Sequence, residues 1–128
     1  MRNLFILLII LLVFIFTFCT KDKVDVQQPT AEFIVKKDGF NIFSETGIQN
    51  TCVYVGDVLV FDASESLNSV EYRWDWDCVQ WNDWDIITTN NISTHIFQEG
   101  EYMIRLETVN KSGWTNISEN PINVTKKP

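Results

Sequence analysis

The chain lacks the motifs that most catalytic sites require. It has one histidine, His95, and contains no G-x-S-x-G, H-E-x-x-H or phosphate-loop pattern. A structural role in a strand is favoured for His95 over general-base work. We therefore expect a protein that is not an enzyme, and the sequence indicates no cofactor.

Basic residues are scarce as well. Lysine and arginine together number 10, against 17 aspartates and glutamates, which gives a net charge of −7. A surface of this sign repels the phosphates of nucleic acids and anionic lipid headgroups. The charge balance therefore excludes nucleic acid from the expected partners.

The chain also has no apolar run long enough for an ordinary membrane span. Arg2 is the only charge before Cys19, and residues 4–16 are all apolar. A transmembrane helix needs about 20 apolar residues, and this run ends sooner, in the polar sequence TKDK. The layout predicts a signal peptide over residues 1–18, in preference to a retained anchor helix.

The end of that segment, FTFC, resembles the lipobox of bacterial lipoproteins. The resemblance implies that Cys19 is lipidated, that residues 19–30 form a tether, and that the lipid holds the chain on a bacterial membrane. The expected location is the cell envelope, at the outer membrane or cell surface. The alternative is an ordinary signal peptide whose last cysteine is incidental, since Phe18 occupies a position where a small residue is usual.

Helical periodicity is absent after the signal, and strand periodicity replaces it. In VEYRWDWD, residues 70–77, apolar side chains alternate with charged ones, which is typical of a half-buried antiparallel strand. Trp74 and Trp76 are expected in the core, with Asp75 and Asp77 facing solvent. Similar patterns predict strands at 31–36, 57–63 and 101–110, and further strands are expected at 85–90, 93–98 and 115–124. About seven short strands predict an all-β sandwich over residues 31–125, and Pro121 predicts an edge or a bulge in the last strand.

Five sequence segments, in order, resemble the polycystic-kidney-disease (PKD) domain, an immunoglobulin-like β-sandwich of cell surfaces and secreted bacterial enzymes. The segments are PTAEF at 29–33, GDVLVFDASES at 56–66, YRWDWD at 72–77, THIF at 94–97 and GEYMIRLETVNKSG at 100–113. The resemblance covers about residues 29–125. It implies an immunoglobulin-like antiparallel fold and a role in adhesion or binding.

The family's glycine-containing turn after the YRWDWD strand is replaced by CVQWNDW. The replacement predicts a longer loop over residues 78–84. The strand order of the family places this loop at the end of the sandwich opposite to the tether. Cys52 and Cys78 share that end, so we expect a disulfide between them, because an exported chain is oxidised. Two free thiols are the alternative.

The loop carries the candidate ligand-binding residues Trp81, Asn82, Asp83 and Trp84, with Gln80 beside them. An exposed tryptophan offers a flat face to a sugar ring or an anchor to a protein, and the neighbouring polar groups can bond hydroxyls. The tryptophans could instead fold back and cap the sandwich. We expect a non-catalytic module that binds a protein or a glycan at the membrane-distal end, with a structural spacer or envelope-assembly partner as the alternative.

Four acidic residues of this region raise the question of calcium. Asp75, Asp77, Asp83 and Asp85 could supply oxygen ligands. However, Val79 stands where a third ligand of a D-x-D-x-D-G loop is expected, and no glycine follows. The sequence therefore predicts no metal site.

Overall fold

The computed structural model describes residues 27–128, and in this part of the chain the regular structure is entirely β. The predicted signal peptide and Cys19 lie outside the described residues. The nine strands are β1 (Ile34–Lys37), β2 (Phe40–Asn41), β3 (Val53–Tyr54), β4 (Val58–Asp62), β5 (Glu71–Asp75), β6 (Ile86–Thr88), β7 (Ile92–Ile96), β8 (Gly100–Val109) and β9 (Thr115–Thr125).

The strands form two sheets. One has the order β2-β1-β4-β7 and the other the order β3-β9-β8-β5-β6. All neighbours are antiparallel except β3 and β9, which are parallel. The predicted all-β sandwich is confirmed, and each of the seven predicted strands is present. The two additional strands, β2 and β3, have two residues each and are too short to produce an alternating pattern in the sequence.

The core lies between the sheets and is built around Trp74. This side chain is fully buried and contacts Phe33 edge-on, with ring centroids 5.2 Å apart. Trp76 stacks on Trp74 at 5.5 Å, and Phe61 packs against both tryptophans from the opposite sheet. The prediction that Trp74 and Trp76 point inward is confirmed.

The prediction for Asp75 is wrong. Its side chain was expected in solvent, but the residue is 1% exposed, whereas its neighbour Asp77 is exposed as expected. Asp75 does point away from the core, because it alternates with Trp74 and Trp76. It is buried because the loop that follows β5 folds over the outer face of the sheet and covers it.

Pro121 lies in β9, where the strand has β8 on one side only. β3 pairs with β9 at Val124 and Thr125, so the opposite edge of β9 carries no strand neighbour at Pro121 among residues 27–128. A proline has no amide hydrogen to donate and is tolerated at such an edge. The predicted edge position is confirmed.

The sandwich has two distinct ends. At the near end, the Asn110 side chain donates to the Gln27 carbonyl at 2.9 Å, so the described chain begins beside the β8–β9 turn. β5 starts at this end and runs away from it, since Glu71 pairs with Val109 and Asp75 pairs with Arg105. The loop between β5 and β6 therefore lies at the far end, as predicted.

The predicted disulfide is absent from the structure, in which Cys52 and Cys78 are both free thiols. They belong to the same end of the sandwich but to different strands of one sheet. Cys52 precedes β3 and Cys78 follows β5, and β9 and β8 lie between those strands. Three strand spacings amount to about 14 Å, twice the Cα separation that a disulfide tolerates.

The two thiols should react at different rates with an alkylating reagent at pH 8. Burial, and after it the charge of Asp75, raises the pKa of the Cys78 thiol to about 11, so little reactive thiolate is present. Cys52 is exposed and should be modified first. Mass spectrometry of the unreduced protein over time measures both rates. If neither cysteine is alkylated until a reductant is added, the result would support the predicted disulfide instead.

Candidate binding surface

The loop from Trp76 to Asp85 is held by carboxylates at its two ends. Asp75 Oδ1 accepts hydrogen bonds from the amides of Asp77 at 3.1 Å and Cys78 at 2.8 Å. Asp85 Oδ2 accepts from the Trp76 amide at 2.7 Å. These bonds satisfy the backbone where β5 ends, so the loop turns sharply without a glycine.

Two residues of the loop take up the conformation that glycine would otherwise supply. Cys78 has φ = 51° and Asn82 has φ = 62°, both in the left-handed region. Asparagine adopts this region more readily than most residues. The turns carry Trp81 back from the end of β5 onto the outer face of the five-stranded sheet.

Trp81 lies over Arg105 of β8. The guanidinium carbon is 4.3 Å from the ring centroid, which is within the range of a cation–π contact. Trp81 is nevertheless 73% exposed. One face of the indole thus rests on the arginine while most of the ring faces solvent.

Arg105 is a fixed support for this ring, since it is itself buried. Its Nε donates to Glu119 Oε1 at 2.8 Å, and its Nη1 lies 3.7 Å from Asp75 Oδ2. The three charged side chains belong to neighbouring strands β5, β8 and β9 and follow one row across the sheet. We call Asp75, Arg105, Glu119 and Trp81 the tryptophan platform.

A groove of about 620 Å³ runs beside the platform on the same face. Its floor is formed by Met103 and Pro121, which pair across β8 and β9. Met103 is two residues from Arg105 along β8, so both side chains point to this face and the groove adjoins the platform. The volume falls within the range of small-ligand sites.

The far wall of the groove is the 44–50 loop, which the Gln49 side chain attaches to β9. Its Nε2 donates to the Asn123 carbonyl at 3.0 Å, and its Oε1 accepts from the Asn123 amide at 2.8 Å. The amide group thus imitates a strand neighbour. Ile48, 68% exposed, lies on the groove next to this anchor, and Glu101 adds a carboxylate.

The predicted ligand-binding residues lie at different depths. Trp81, Asn82 and Asp83 are exposed, whereas Trp84 is half-buried. Sequence reasoning missed the support, Arg105 and Glu119, and the groove beside it. The strand alternation at 100–109 does place Met103 and Arg105 on the outer face, but nothing in it indicates which loop covers them.

Trp114 belongs to a different surface. It lies in the turn between β8 and β9 at the near end and is 52% exposed. The length of β8 separates it from the tryptophan platform. Trp114 therefore does not share a surface with the loop tryptophans.

Three of the four carboxylates considered for calcium accept hydrogen bonds from the loop backbone. Asp75 and Asp85 accept the hydrogen bonds described above, and Asp77 Oδ1 accepts from the Val79 amide at 3.2 Å. Within residues 27–128, no group of three or more acidic, cysteine or histidine side chains has the arrangement of a metal site.

His95 is part of the aromatic packing. Its ring stacks on Trp76 at 4.8 Å and meets Phe97 edge-on at 4.4 Å. Burial lowers the pKa of His95, and the nearby Asp85 carboxylate opposes this shift. These contacts give the side chain a packing role between strand β7 and the core.

No protein-family model and no curated protein sequence matches the chain, whereas several solved structures are similar to it. One similar structure was solved to explain the promiscuous specificity of carbohydrate-binding modules of the β-sandwich superfamily. It is 20% identical with a TM-score of 0.59, over 78% of this chain and 35% of the other. A second is the PKD1 domain of Vibrio anguillarum Epp, which is 19% identical with a TM-score of 0.50, over 79% of this chain and 98% of that domain.

These likenesses, together with the sheet order, define the fold. The chain contains an immunoglobulin-like β-sandwich. Within that class it is PKD-like, and the resemblance inferred from the five segments is confirmed at the level of the fold. The chain spans about a third of the carbohydrate-binding structure. Residues 27–128 contain no helix with the length and apolarity needed to cross a bilayer.

Proposed function

We propose that the domain is a non-catalytic module that binds a glycan on the tryptophan platform and along the adjoining groove. The observation that carries the proposal is the pairing of an exposed indole with a buried charged support. Trp81 is 73% exposed, yet Arg105 beneath it is buried and bonded to Glu119. A tryptophan fixed in place and exposed is typical of the residues that dominate binding surfaces.

A sugar ring suits this surface for three reasons. The exposed indole offers a flat apolar face that can lie against the C–H groups of a pyranose. Glu101 and Asn123 line the groove, where their polar groups can bond hydroxyls. The carboxylates and the net charge of −7 disfavour anionic sugars, so a neutral glycan is the expected ligand class. The carbohydrate-binding description of a similar structure supports this choice.

A protein ligand is the second candidate. Tryptophan is enriched among the residues that dominate protein interfaces, and Ile48 and Met103 extend the apolar surface beyond it. A spacer without a ligand remains the contrasting possibility. The variants Trp81→Ala and Trp114→Ala distinguish the glycan ligand, the protein ligand and the spacer.

Replacement of Trp81 by alanine should weaken binding by about thirty-fold or more, the effect of losing an interface residue worth about 2 kcal/mol. The matched control is Trp114→Ala, which removes an equally large exposed ring at the opposite end. Residues 27–128 and both variants are compared on neutral polysaccharides by affinity electrophoresis and on envelope extract by pull-down.

The proposal requires wild-type and Trp114→Ala proteins to bind a polysaccharide and the Trp81→Ala protein to lose it. Loss of a protein from the pull-down, without any polysaccharide binding, would support the protein ligand instead. Equal behaviour of all three proteins would support the spacer. The melting temperature of Trp81→Ala distinguishes lost contact from lost folding.

We also propose that the chain is held on a bacterial membrane through a lipid on Cys19, as the lipobox-like FTFC sequence predicts. In support, the described chain starts at the near end, so the platform at the far end would face away from the bilayer. Metabolic labelling with an alkyne fatty acid tests the anchor. Wild type should be labelled and Cys19→Ser should not, and equal labelling of both would contradict it.

A further inference from the structure

Strand β7 is the least protected sheet edge among residues 27–128. A strand at an edge presents unpaired amides and carbonyls to other chains, and proteins usually shorten, charge or interrupt such edges. The other edges are protected in these ways: β2 and β3 have two residues, β6 has three, and β9 carries Pro121 where it has no outer neighbour. β7 has five residues, and no strand within residues 27–128 pairs with its outer side.

The sequence of β7, ISTHI, contains none of the usual protective features. It has no proline, glycine, lysine or acidic residue. The strand belongs to residues 86–98, which form the longest stretch without a charged residue in the described part of the chain. In an acidic domain, an uncharged edge of this length is an exception.

The hydrogen-bonding groups that face outward can be identified from the register. The Ala63 amide donates to the Asn91 carbonyl at 2.8 Å, so Asn91 faces β4. Backbone direction alternates along an antiparallel strand, so Ser93 and His95 also face β4. The amides and carbonyls of Thr94 and Ile96 consequently point away from the sheet, while the Ile92 amide is taken by the Asn90 side chain at 3.0 Å.

The side chains of the same residues are exposed on the outer face of the sheet. Ile92 is 44% exposed and Ile96 is 51% exposed, with Thr94 exposed between them. Val58, which pairs with Ile96 from β4, is 53% exposed and continues the apolar surface. The edge thus combines free backbone groups with β-branched side chains that favour strand pairing.

We propose that two copies of the chain pair through β7, antiparallel and related by a two-fold axis at Thr94. The strand is self-complementary in this register. Thr94 pairs with the partner's Thr94, so their outward amides and carbonyls meet. Ile92 pairs with the partner's Ile96, where the Ile96 amide can donate to the Ile92 carbonyl while Asn90 keeps the Ile92 amide. The two four-stranded sheets become one continuous sheet across the axis. Cross-strand pairs of β-branched residues contribute to such a contact.

The symmetry of β7 points to a second copy as the occupant, since Ile92 and Ile96 lie at equal spacing on either side of Thr94. Two copies of a chain with a net charge of −7 repel each other over most of their surfaces. β7 itself carries no carboxylate, so two copies that meet along it bring no acidic side chains of that strand together. The edge lies in the sheet opposite to the tryptophan platform, so dimerisation leaves the groove open and does not depend on the proposed ligand.

Cysteine cross-linking of the full chain in cells tests the proposal. In a Cys52→Ser, Cys78→Ser background, Thr94→Cys places two thiols across the two-fold axis, within reach of a short bis-maleimide. Lys111→Cys, on the exposed near-end turn, is the matched control. The expected result is a band of doubled mass for Thr94→Cys and none for Lys111→Cys. Equal yields from the two variants, or a cross-link from the Thr94→Cys variant only to a different protein, would overturn the proposal.

Hydrogen exchange provides a second readout that needs no cysteine. In the full-length protein, the amides of Thr94 and Ile96 should exchange more slowly as the concentration rises, because pairing protects them. Thr94→Lys puts two positive charges at the axis and should abolish that dependence, whereas Thr115→Lys, on an exposed position of β9, should keep it. Fast exchange at every concentration in the wild type would overturn the proposal.

Discussion

Truncation of Trp74 to alanine is expected to lower the free energy of unfolding by about 3 to 5 kcal/mol, the usual cost of removing a buried aromatic side chain. Trp74 is completely buried, and Phe33, Phe61 and Trp76 all contact its ring. The cavity lies at the centre of the packing between the sheets, where neighbouring strands prevent collapse. For a domain of this size, such a loss is a large part of the total stability.

Thermal and urea unfolding measure the effect. The midpoint of thermal unfolding should fall by more than about 12 °C. Trp74→Phe is the informative control, because Trp74 Nε1 has no hydrogen-bond partner among residues 27–128 and phenylalanine removes that buried donor while keeping an aromatic ring. Phenylalanine should therefore cost less than alanine. A Trp74→Ala protein as stable as wild type would mean that this ring is not central to the core.

The fold could be predicted because, in each strand of a sandwich, the alternation of apolar and polar residues shows which side chains are buried. Tyr72, Trp74 and Trp76 repeat with a period of two, and the structure buries all three. The same argument located β8, where Ile104 and Leu106 are fully buried. Alternation fixes which side of a strand a residue occupies, and one side of each strand must face the other sheet.

The candidate site was harder to predict from the sequence because it depends on contacts between segments that are far apart in the chain. Alternation correctly put Asp75 and Arg105 outside the core, but it equates the outer face with solvent. Here the 76–85 loop returns over that face, so both residues are buried, with the Trp81 ring above Arg105. Similarly, the strand order implied by the PKD resemblance gave Cys52 and Cys78 a common end, while the order of strands within the sheet keeps them apart.

Asp75→Ala is the second change with a large expected effect. It tests whether the Asp75 carboxylate is buried or faces solvent. The substitution removes the acceptor of two loop amides and leaves Arg105, 6% exposed, with Glu119 as its remaining acidic partner. Removing one member of a buried charge pair typically costs about 3 to 5 kcal/mol, and the lower end of this range is expected because Glu119 still compensates part of the Arg105 charge. We expect a loss of this size in urea unfolding, whereas Asp77→Ala, an exposed neighbour, should cost less than about 1 kcal/mol.

A double-mutant cycle shows how much of the lost stability comes from the unpaired Arg105 charge and how much from the lost loop hydrogen bonds. Methionine at position 105 fills similar space without a charge, so Asp75→Ala combined with Arg105→Met should be more stable than Asp75→Ala alone. Asp75→Asn keeps an oxygen that can accept from the Cys78 amide, and should fall between Asp75→Ala and wild type if the loop bonds and the ion pair both contribute. Arg105→Met also removes the cation under Trp81, and the emission of that indole should change even where stability is kept. If Asp75→Ala is as mild as Asp77→Ala, the carboxylate faces solvent after all, and the loop does not cover the sheet.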